Sequence, residues 1–441
     1  MTGSAPPVGS ARAALSLQEI AARVAGYDPD ALPVPQAQEF IARVATPVTG
    51  TEDCALRDAL GRVLATDVIS GIDVPPHDNS AMDGFALRGS DLRSDAPAAL
   101  RIVGSGLAGQ AFEGQVPPLC AVRITTGAVM PAELDTVLPQ EFAKFDADGR
   151  LLVPPGLLQP GDNRRLAGED LARGEVALAS GRLLRPADLG LLASLGLPTV
   201  SVRRPLRVAF FSTGDEIRSI GEALDAGSVY DSNRYTVWGM LQRLGVQAID
   251  LGVVRDEPHA LRATFLRAAA EADAVITSGG VSVGEADHTK RIMAELGEVL
   301  FWRIAMRPGR PMAIGRLGVA GSDRQAVLFG LPGNPVAVMV TFYAFVRDAL
   351  LRMSGATPQP LPMLRASCTA PIRKKPGRTE FQRGIVSRRN DGQWQVAITG
   401  AQGSGILRSM SLANGMVVLH HEQGNVAAGE AVDVLPFDGL V

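Results

Sequence analysis

The sequence predicts a multidomain α/β and β protein built around a doubly wound parallel sheet. Residues 206–353 alternate apolar strands with amphipathic helices, and such alternation requires crossover connections between parallel strands. Residues 361–441 instead alternate polar and apolar positions over short segments, which predicts a separate C-terminal β-barrel domain. A chain of 441 residues is also too long for one core, since a domain usually takes roughly 150 residues.

The first half of the chain predicts two further domains. Helical patterning begins at Ser16, where Glu19 would complete a capping box, and continues near 36–45 and over 56–68. From about residue 70 the runs become short, β-branched and bounded by glycine or proline, and helical patterning returns near 181–205. We therefore expect a mostly-β domain inserted into an elongated helical domain. The predicted domains are 14–69 with 150–205 (helical), 70–149 (inserted, mostly-β), 206–353 (α/β) and 361–441 (β-barrel).

Net charge, cysteine spacing and apolar run lengths limit the binding partners and the cellular compartment that we expect. The formal net charge of -3 gives no reason to expect nucleic acid or an acidic membrane surface as a partner. The three cysteines lie far apart without a CxxC or a His/Cys cluster, which argues against disulfides and structural zinc. The N-terminal residues contain no apolar leader segment, and no later run is long enough to span a membrane. We expect a cytoplasmic protein.

Acidic residues follow three successive strands of the predicted α/β domain. Glu216 lies in "STGDE" after the first strand, Asp256 in "RDE" after the second, and Asp287 ends "TSGGVSVGEAD" after the third. Because the carboxyl ends of parallel strands share one edge, these carboxylates should meet there, and Mg²⁺ is the cation that would bridge them to a phosphate. Each acid alone could equally be a helix cap. Backbone amides of the same loop could bind the phosphate, which makes Ser278, Gly279 and Gly280 candidate binding residues.

A basic segment and a proline turn supply candidate anion-binding residues. Arg303 and Arg307 are four apart in a predicted strand, so they should share a face, and Arg310 follows a Pro-Gly bend. Arginine suits a tetrahedral oxyanion because its guanidinium donates fork-like hydrogen bonds. "GLPGNP" places Pro332 and Pro335 between a buried strand and a helix N-terminus, another anion site. The alternatives are a solvated basic strand edge and a rigid turn with an asparagine cap.

Five polar residues in turns give weaker signals. Residues of this kind usually only stabilise the turn that holds them. The candidates are Asp83 in "HDNSAMDGFAL", Thr126 in "RITTGAVMP", Asp170 in "RRLAGED", Arg383 in "EFQRG" and Ser404 in "TGAQGSG".

Seven motifs together resemble the molybdopterin molybdenumtransferase family, called MoeA in bacteria and related to gephyrin E domains. They are "DNSAMDG", "RITTGA", "STGDE", "TSGGVSVGEAD", "RPGRP", "LPGNP" and "EFQRG", in the order of that family. The resemblance implies an enzyme that takes adenylylated molybdopterin and molybdate, cleaves the adenylyl phosphoanhydride with Mg²⁺, and yields molybdenum cofactor and AMP. It also implies an elongated four-domain subunit and a homodimer whose active cleft includes a contribution from the partner, with transient contacts to a molybdopterin adenylyltransferase and to apo-molybdoenzymes.

The resemblance also assigns residues. It implies functional acids at Asp83, Asp170, Glu216, Asp256 and Asp287, further functional positions at Thr126, Arg303, Arg307, Arg383 and Ser404, and the proline turn at Pro332 and Pro335. This chain departs from many relatives by having arginine where they have lysine in the basic segment, which changes the hydrogen-bonding geometry.

Two other functions remain open. A molybdopterin adenylyltransferase shares the α/β fold and a glycine loop, but typically reads TGG-TG where this chain has Val281-Ser282-Val283. A gephyrin-like scaffold would keep the fold without catalysis.

Overall fold

The computed structural model describes residues 15–281, 288–319, 321–322 and 324–437. The chain divides into two compact units. The first unit comprises residues up to 52, residues 61–65 and residues from 202 onwards, and the second comprises 53–60 and 66–201. The N-terminal helices therefore belong to the same compact unit as the α/β domain and the barrel, and the division into four domains stays a prediction.

The predicted parallel sheet forms the centre of the first unit. Its order is Gln247–Val254, Arg207–Thr213, Ala274–Ser278, Gln325–Leu331, Pro311–Gly318 and Gly297–Arg303. The first four strands are parallel, as predicted, and the last two pair antiparallel at one side of the sheet.

Both faces of this sheet are covered, because successive side chains of a strand point to opposite sides. Val208 and Phe210 belong to one hydrophobic core, whereas Ala209 and Phe211 belong to another, where Phe211 meets Phe265 edge to face at 5.1 Å. Fully burying a side chain of this size stabilises the fold by about 1.5–3 kcal/mol. The covering helices are Ser232–Arg243, Pro258–Glu271, His288–Leu296 and Pro335–Thr341, the last continuing through the π-helical turn Phe342–Val346 into Arg347–Met353.

Two short helices, Leu17–Ala21 and Val34–Val44, complete one of these cores. The predicted capping box is confirmed: the Ser16 hydroxyl accepts from the Glu19 amide at 3.2 Å, and the Glu19 carboxylate accepts from the Ser16 amide at 2.7 Å. The helix predicted over 56–68 is wrong. The helical part of that stretch is only the 3₁₀ turn Leu56–Asp58, because Gly61 takes the left-handed conformation (φ 74°) and Leu60 stays exposed instead of packing.

The second unit is mostly β. This agrees with the mostly-β structure predicted for this part of the chain. Its six-stranded sheet has the order Thr136–Pro139, Gly84–Leu87, Cys120–Ile124, Ala98–Gly106, Leu151–Val153 and Lys144–Phe145. Two-stranded pairs join Asn79–Ser80 to Arg164–Arg165 and Val68–Ile69 to Val176–Leu178. The α-helix Pro186–Ser194 is shorter than the helical region predicted there. The remaining named elements of this region are the strands Thr51–Ala55 and Thr199–Arg203 and the 3₁₀ turns Gly89–Asp91 and Gln140–Phe142.

The C-terminal β-barrel is confirmed. Thr379–Arg388 pairs with Trp394–Ile398 on one side and with Gly415–Leu419 on the other, and Leu364–Cys368 and Ala431–Pro436 close the circle of five strands. A short strand, Met306–Arg307, runs parallel to the start of Thr379–Arg388 and so ties the α/β domain to the barrel. The other elements are Ile217–Arg218, Val229–Tyr230 and the helix Leu407–Leu412. Within the described ranges, no helix is long and apolar enough to cross a membrane.

Candidate active site

A cleft of about 1320 Å³ opens at the carboxyl edge of the parallel sheet. The ends of Arg207–Thr213 and Ala274–Ser278 form its floor, and segments 306–311, 332–335 and 402–405 form its walls. Parallel strands aim their carboxyl ends and the following helix N-termini to one side, so binding groups collect there. Ten of the predicted site residues line this cleft: Glu216, Asp256, Ser278, Gly279, Gly280, Arg307, Arg310, Pro332, Pro335 and Ser404.

Two of the three predicted metal ligands lie in the cleft. Glu216 and Asp256 both line it, and the Asp256 carboxylate accepts a hydrogen bond from the Thr289 hydroxyl at 3.3 Å. Asp215 instead turns toward the backbone and accepts from the amide of Asp256 at 3.3 Å. Asp287, the third predicted ligand, lies outside the described residues. Among the residues that are described, no group of three His, Cys, Asp or Glu side chains could hold a metal.

The backbone that follows the strand Ala274–Ser278 requires glycine at positions 279 and 280. Gly279 has φ 96° and Gly280 has φ 67°, conformations that side chains disfavour. A Cβ at position 279 would lie 2.4 Å from the carbonyl oxygen of Thr213, and one at 280 would lie 2.5 Å from Thr289. The glycines therefore let the loop turn tightly against the neighbouring strand end, with backbone exposed to the cleft.

Asn233 holds the cleft together, and the sequence interpretation missed it. Its side-chain amide donates to the Ser278 hydroxyl and to the Gly333 carbonyl, both at 2.7 Å, and so links the glycine loop to the proline turn. Asn233 is 7% exposed, and its Oδ1 has no hydrogen-bond partner among the residues that the structure describes. Its position as the second residue of the helix Ser232–Arg243, which begins at the sheet edge, was the available signal. Asp231 caps this helix, because its carboxylate accepts a hydrogen bond from the Arg234 amide.

The basic side of the cleft is formed by Arg307 and Arg310. Neither guanidinium has an ion-pair or hydrogen-bond partner among the described residues, which leaves both free for an anion. The expectation that Arg303 and Arg307 share a strand face is wrong, because Gly297–Arg303 ends before Met306–Arg307 begins a separate pairing with the barrel. Arg303 does not line the cleft and lies 3.7 Å from the Asp30 carboxylate.

Arg383 supports the cleft wall from behind. It is fully buried, and its guanidinium donates to the carbonyls of residues 401–403 and to the Ser409 hydroxyl. Burial, reinforced by the charge of Arg307, lowers the pKa of Arg383. Its side chain therefore shapes the loop that presents Ser404 and does not reach the cleft itself. Arg378, which was not predicted, does line the cleft and is paired with Glu380 at 2.8 Å.

The second unit brings Asp83 and Thr126 together. The Asp83 carboxylate accepts from the Thr126 amide at 2.7 Å and from its hydroxyl at 3.1 Å. These bonds, the backbone one first, lower the pKa of Asp83. Asp170 is exposed, and its amide donates to the Val74 carbonyl at 3.1 Å. The three predicted residues thus form one hydrogen-bonded pair and one separate acid.

Comparisons with known proteins cover most of the chain. Residues 32–196 match the MoeA N-terminal region (domain I and II), residues 209–352 match a probable molybdopterin binding domain, and residues 365–437 match the MoeA C-terminal region (domain IV). A molybdopterin molybdenumtransferase of Haemophilus influenzae is 42% identical over 89% of this chain and 95% of its own length. One from Bacillus subtilis is 32% identical over 87% of this chain and 89% of its own length.

A solved structure agrees with these sequence relatives. The crystal structure of a molybdopterin biosynthesis moeA protein from Pyrococcus horikoshii OT3 covers 92% of this chain and 100% of its own, with a TM-score of 0.76 and 26% identity. The three domain matches follow one another along the chain, and they agree with the 42% identity to a relative over nearly its whole length and with the shared fold. The chain belongs to the molybdopterin molybdenumtransferase (MoeA) family.

Proposed function

We propose that this chain inserts molybdenum into molybdopterin during molybdenum cofactor biosynthesis. The substrates are adenylylated molybdopterin and molybdate, and the products are molybdenum-loaded molybdopterin and AMP. The observation that carries the proposal is one cleft with carboxylates on one side, Glu216 and Asp256, and on the other the guanidiniums of Arg307 and Arg310, which have no partner among the described residues. The curated relatives that match most of the chain are named molybdopterin molybdenumtransferase.

The acidic side fits Mg²⁺. Mg²⁺ prefers oxygen ligands and usually takes one or two carboxylates together with water and substrate phosphate. Glu216 and Asp256 would supply those carboxylates, with Asp287 as a third proposed ligand, and the ion would neutralise charge on the phosphoanhydride. The Thr289 hydroxyl orients the Asp256 carboxylate through its hydrogen bond. The backbone of Gly279 and Gly280 lies close enough to the cleft to approach the phosphate without side-chain interference.

The basic side fits molybdate, a tetrahedral dianion. Arg307 and Arg310 would bind it by charge-assisted hydrogen bonds, and the Ser404 hydroxyl would contact the same anion from the opposite loop. Buried Arg383 would act indirectly by holding the 401–405 loop, and Arg303 would act at longer range. We further propose that an oxygen of bound molybdate, or a water, attacks the adenylyl phosphorus while the bond to the molybdopterin phosphate oxygen breaks. AMP release that continues at the same rate without molybdate would count against the molybdate version.

We also propose that the protein works as a cytoplasmic homodimer. A partner chain would complete the active cleft, and Asp83, Thr126 and Asp170 would take part in the reaction as the family resemblance implies. Transient contacts with a molybdopterin adenylyltransferase and with recipient apo-molybdoenzymes would deliver the substrate and remove the product. Sedimentation equilibrium of the purified protein should give twice the monomer mass of 46.3 kDa.

Reconstitution tests the proposed activity. Purified protein is incubated with adenylylated molybdopterin, molybdate and Mg²⁺, and AMP release and activation of an apo-molybdoenzyme are followed together. We expect both signals to require Mg²⁺ and molybdate and neither to require ATP. Consumption of ATP with unadenylylated molybdopterin would indicate the adenylyltransferase reaction instead, and a folded protein inactive in both assays would indicate a scaffold.

A further inference from the structure

A second, smaller cavity of about 630 Å³ opens beside the active cleft. The side chains of Ile220, Tyr230, Tyr235 and Leu407 line it, so its wall is mostly carbon. Tyr230, together with Asp231 and Ser232, lines both this side cavity and the cleft. A single ligand can therefore place phosphates in the cleft and a ring in the side cavity, and the volume lies in the range usual for small-molecule sites.

Three side chains of the side cavity are exposed without a packing role, whereas the fourth, Leu407, packs against the hydrophobic core. Ile220 is 64% exposed, Tyr230 is 46% exposed and Tyr235 is 47% exposed. The helix Ser232–Arg243 packs into the hydrophobic core through other positions, notably Val237 and Met240. Clustered exposed apolar surface beside a polar cleft is typical of a ligand site.

Both tyrosine rings are held in place before any ligand arrives. The Tyr230 hydroxyl donates to the Glu222 carbonyl at 3.0 Å. The Arg234 guanidinium lies 5.3 Å from the centre of the Tyr235 ring. Arg234 is itself held between Asp231 and Asp250, each at 3.7 Å. Pre-oriented rings lose little conformational freedom on binding, which favours stacking of a flat ligand.

We propose that the side cavity binds the adenine ring of the nucleotide in the adenylylated substrate and in the AMP product. The proposal rests on the proposed function, and it assigns the ring that stacks against Tyr230 and Tyr235. The substrate has two ring systems, a pterin and an adenine. The pterin carries an amide edge whose hydrogen bonds would be lost against carbon, whereas adenine has no carbonyl group and tolerates an apolar wall better. Aromatic side chains stack on any base through its π-face.

Binding of AMP compared with ribose 5-phosphate tests the assignment, because ribose 5-phosphate keeps the phosphate and lacks the base. Calorimetric titrations with Mg²⁺ should show AMP binding at least about tenfold more tightly, as expected for base stacking. Tyr235→Ala should weaken AMP binding about tenfold and leave ribose 5-phosphate unchanged, whereas Tyr235→Phe should bind AMP like the unmodified protein. Trp238→Ala is the matched control, since Trp238 is 50% exposed on the same helix but lines neither cavity.

Several outcomes would overturn the assignment. Equal affinity for AMP and ribose 5-phosphate would exclude a base site, and so would unchanged AMP affinity in a Tyr235→Ala protein that has the circular dichroism of the unmodified chain. Ile220→Ala provides a second variant if Tyr235→Ala does not fold. If Tyr235→Ala dissociates the protein in sedimentation without affecting AMP, the surface is an interface between copies. AMP binding as predicted without molybdenum insertion would contradict the proposed function alone.

Discussion

Replacing Asn233 with alanine should loosen the active cleft by a calculable amount. The substitution removes two hydrogen bonds of 2.7 Å, a buried one to the Ser278 hydroxyl and a partly buried one to the Gly333 carbonyl. A buried hydrogen bond contributes about 1 kcal/mol net, and a partner left unsatisfied adds to the loss. The Oδ1 of Asn233 has no hydrogen-bond partner within the described part of the chain, so removing this buried acceptor offsets part of that loss. We expect Asn233→Ala to lower the free energy of unfolding by about 2 kcal/mol.

Urea unfolding followed by Trp302 fluorescence measures this change. Trp302 is buried in the same hydrophobic core as the helix that carries Asn233, and replacing Trp238 and Trp394 with phenylalanine isolates its signal. Asn233→Asp is the matched control. The aspartate carboxylate can accept a hydrogen bond from the Ser278 hydroxyl, but it cannot donate one to the Gly333 carbonyl, so two acceptor oxygens face each other there. The Asn233→Asp protein should therefore be at least as destabilised as the alanine variant. A free energy of unfolding for Asn233→Ala within about 0.5 kcal/mol of the unmodified protein would refute the proposed linking role.

Three further predictions concern the glycine loop, the anion site and the second unit. Gly279→Ala should reduce the initial rate of AMP release at least about tenfold, since a Cβ there would lie 2.4 Å from the Thr213 carbonyl; an unchanged rate would show that the loop can relax. Arg307→Ala should raise the half-saturating molybdate concentration at least about tenfold. Arg307→Lys should give a value between those of the unmodified protein and Arg307→Ala, because lysine keeps the charge but cannot make the paired hydrogen bonds of a guanidinium. Thr126→Val removes one of two hydrogen bonds to Asp83 and should raise the pKa of that carboxyl toward its ordinary value in a carbon-13 NMR titration. Because the folded-state pKa of Asp83 is lowered, the stability it contributes is present above the ordinary pKa and is lost as pH falls through the folded-state value.

The parallel sheet and the barrel were predictable because their signals are local and repeated. The strand Arg207–Thr213 is apolar from Val208 to Phe211 because both of its faces are covered, and the following helix places Val237 and Met240 in the core. The predicted helix over 56–68 failed because apolar spacing cannot reveal whether a partner surface exists for Leu60 or whether Gly61 bends the chain.

The acidic edge of the site was predictable, whereas the basic edge was only partly so. Glu216 and Asp256 follow strand ends, and strand ends share an edge whatever the details of the sheet. Arg303 and Arg307 were assigned to one strand because their spacing allows it, but the chain changes partner sheets between them. Arg383 was a candidate, but its buried supporting role, like the linking role of Asn233, depends on contacts between segments distant in sequence, which one sequence does not display.

The magnesium dependence of AMP release tests the account most directly. The initial rate is measured against Mg²⁺ concentration for the unmodified protein, Glu216→Gln, Asp256→Asn and the control Glu271→Gln, whose exposed carboxylate pairs with Arg267 away from the cleft. If the cleft carboxylates hold the ion, the half-saturating Mg²⁺ concentration rises at least about tenfold in the first two variants and stays unchanged in the control. Identical Mg²⁺ curves for all four proteins would contradict a metal site at Glu216 and Asp256.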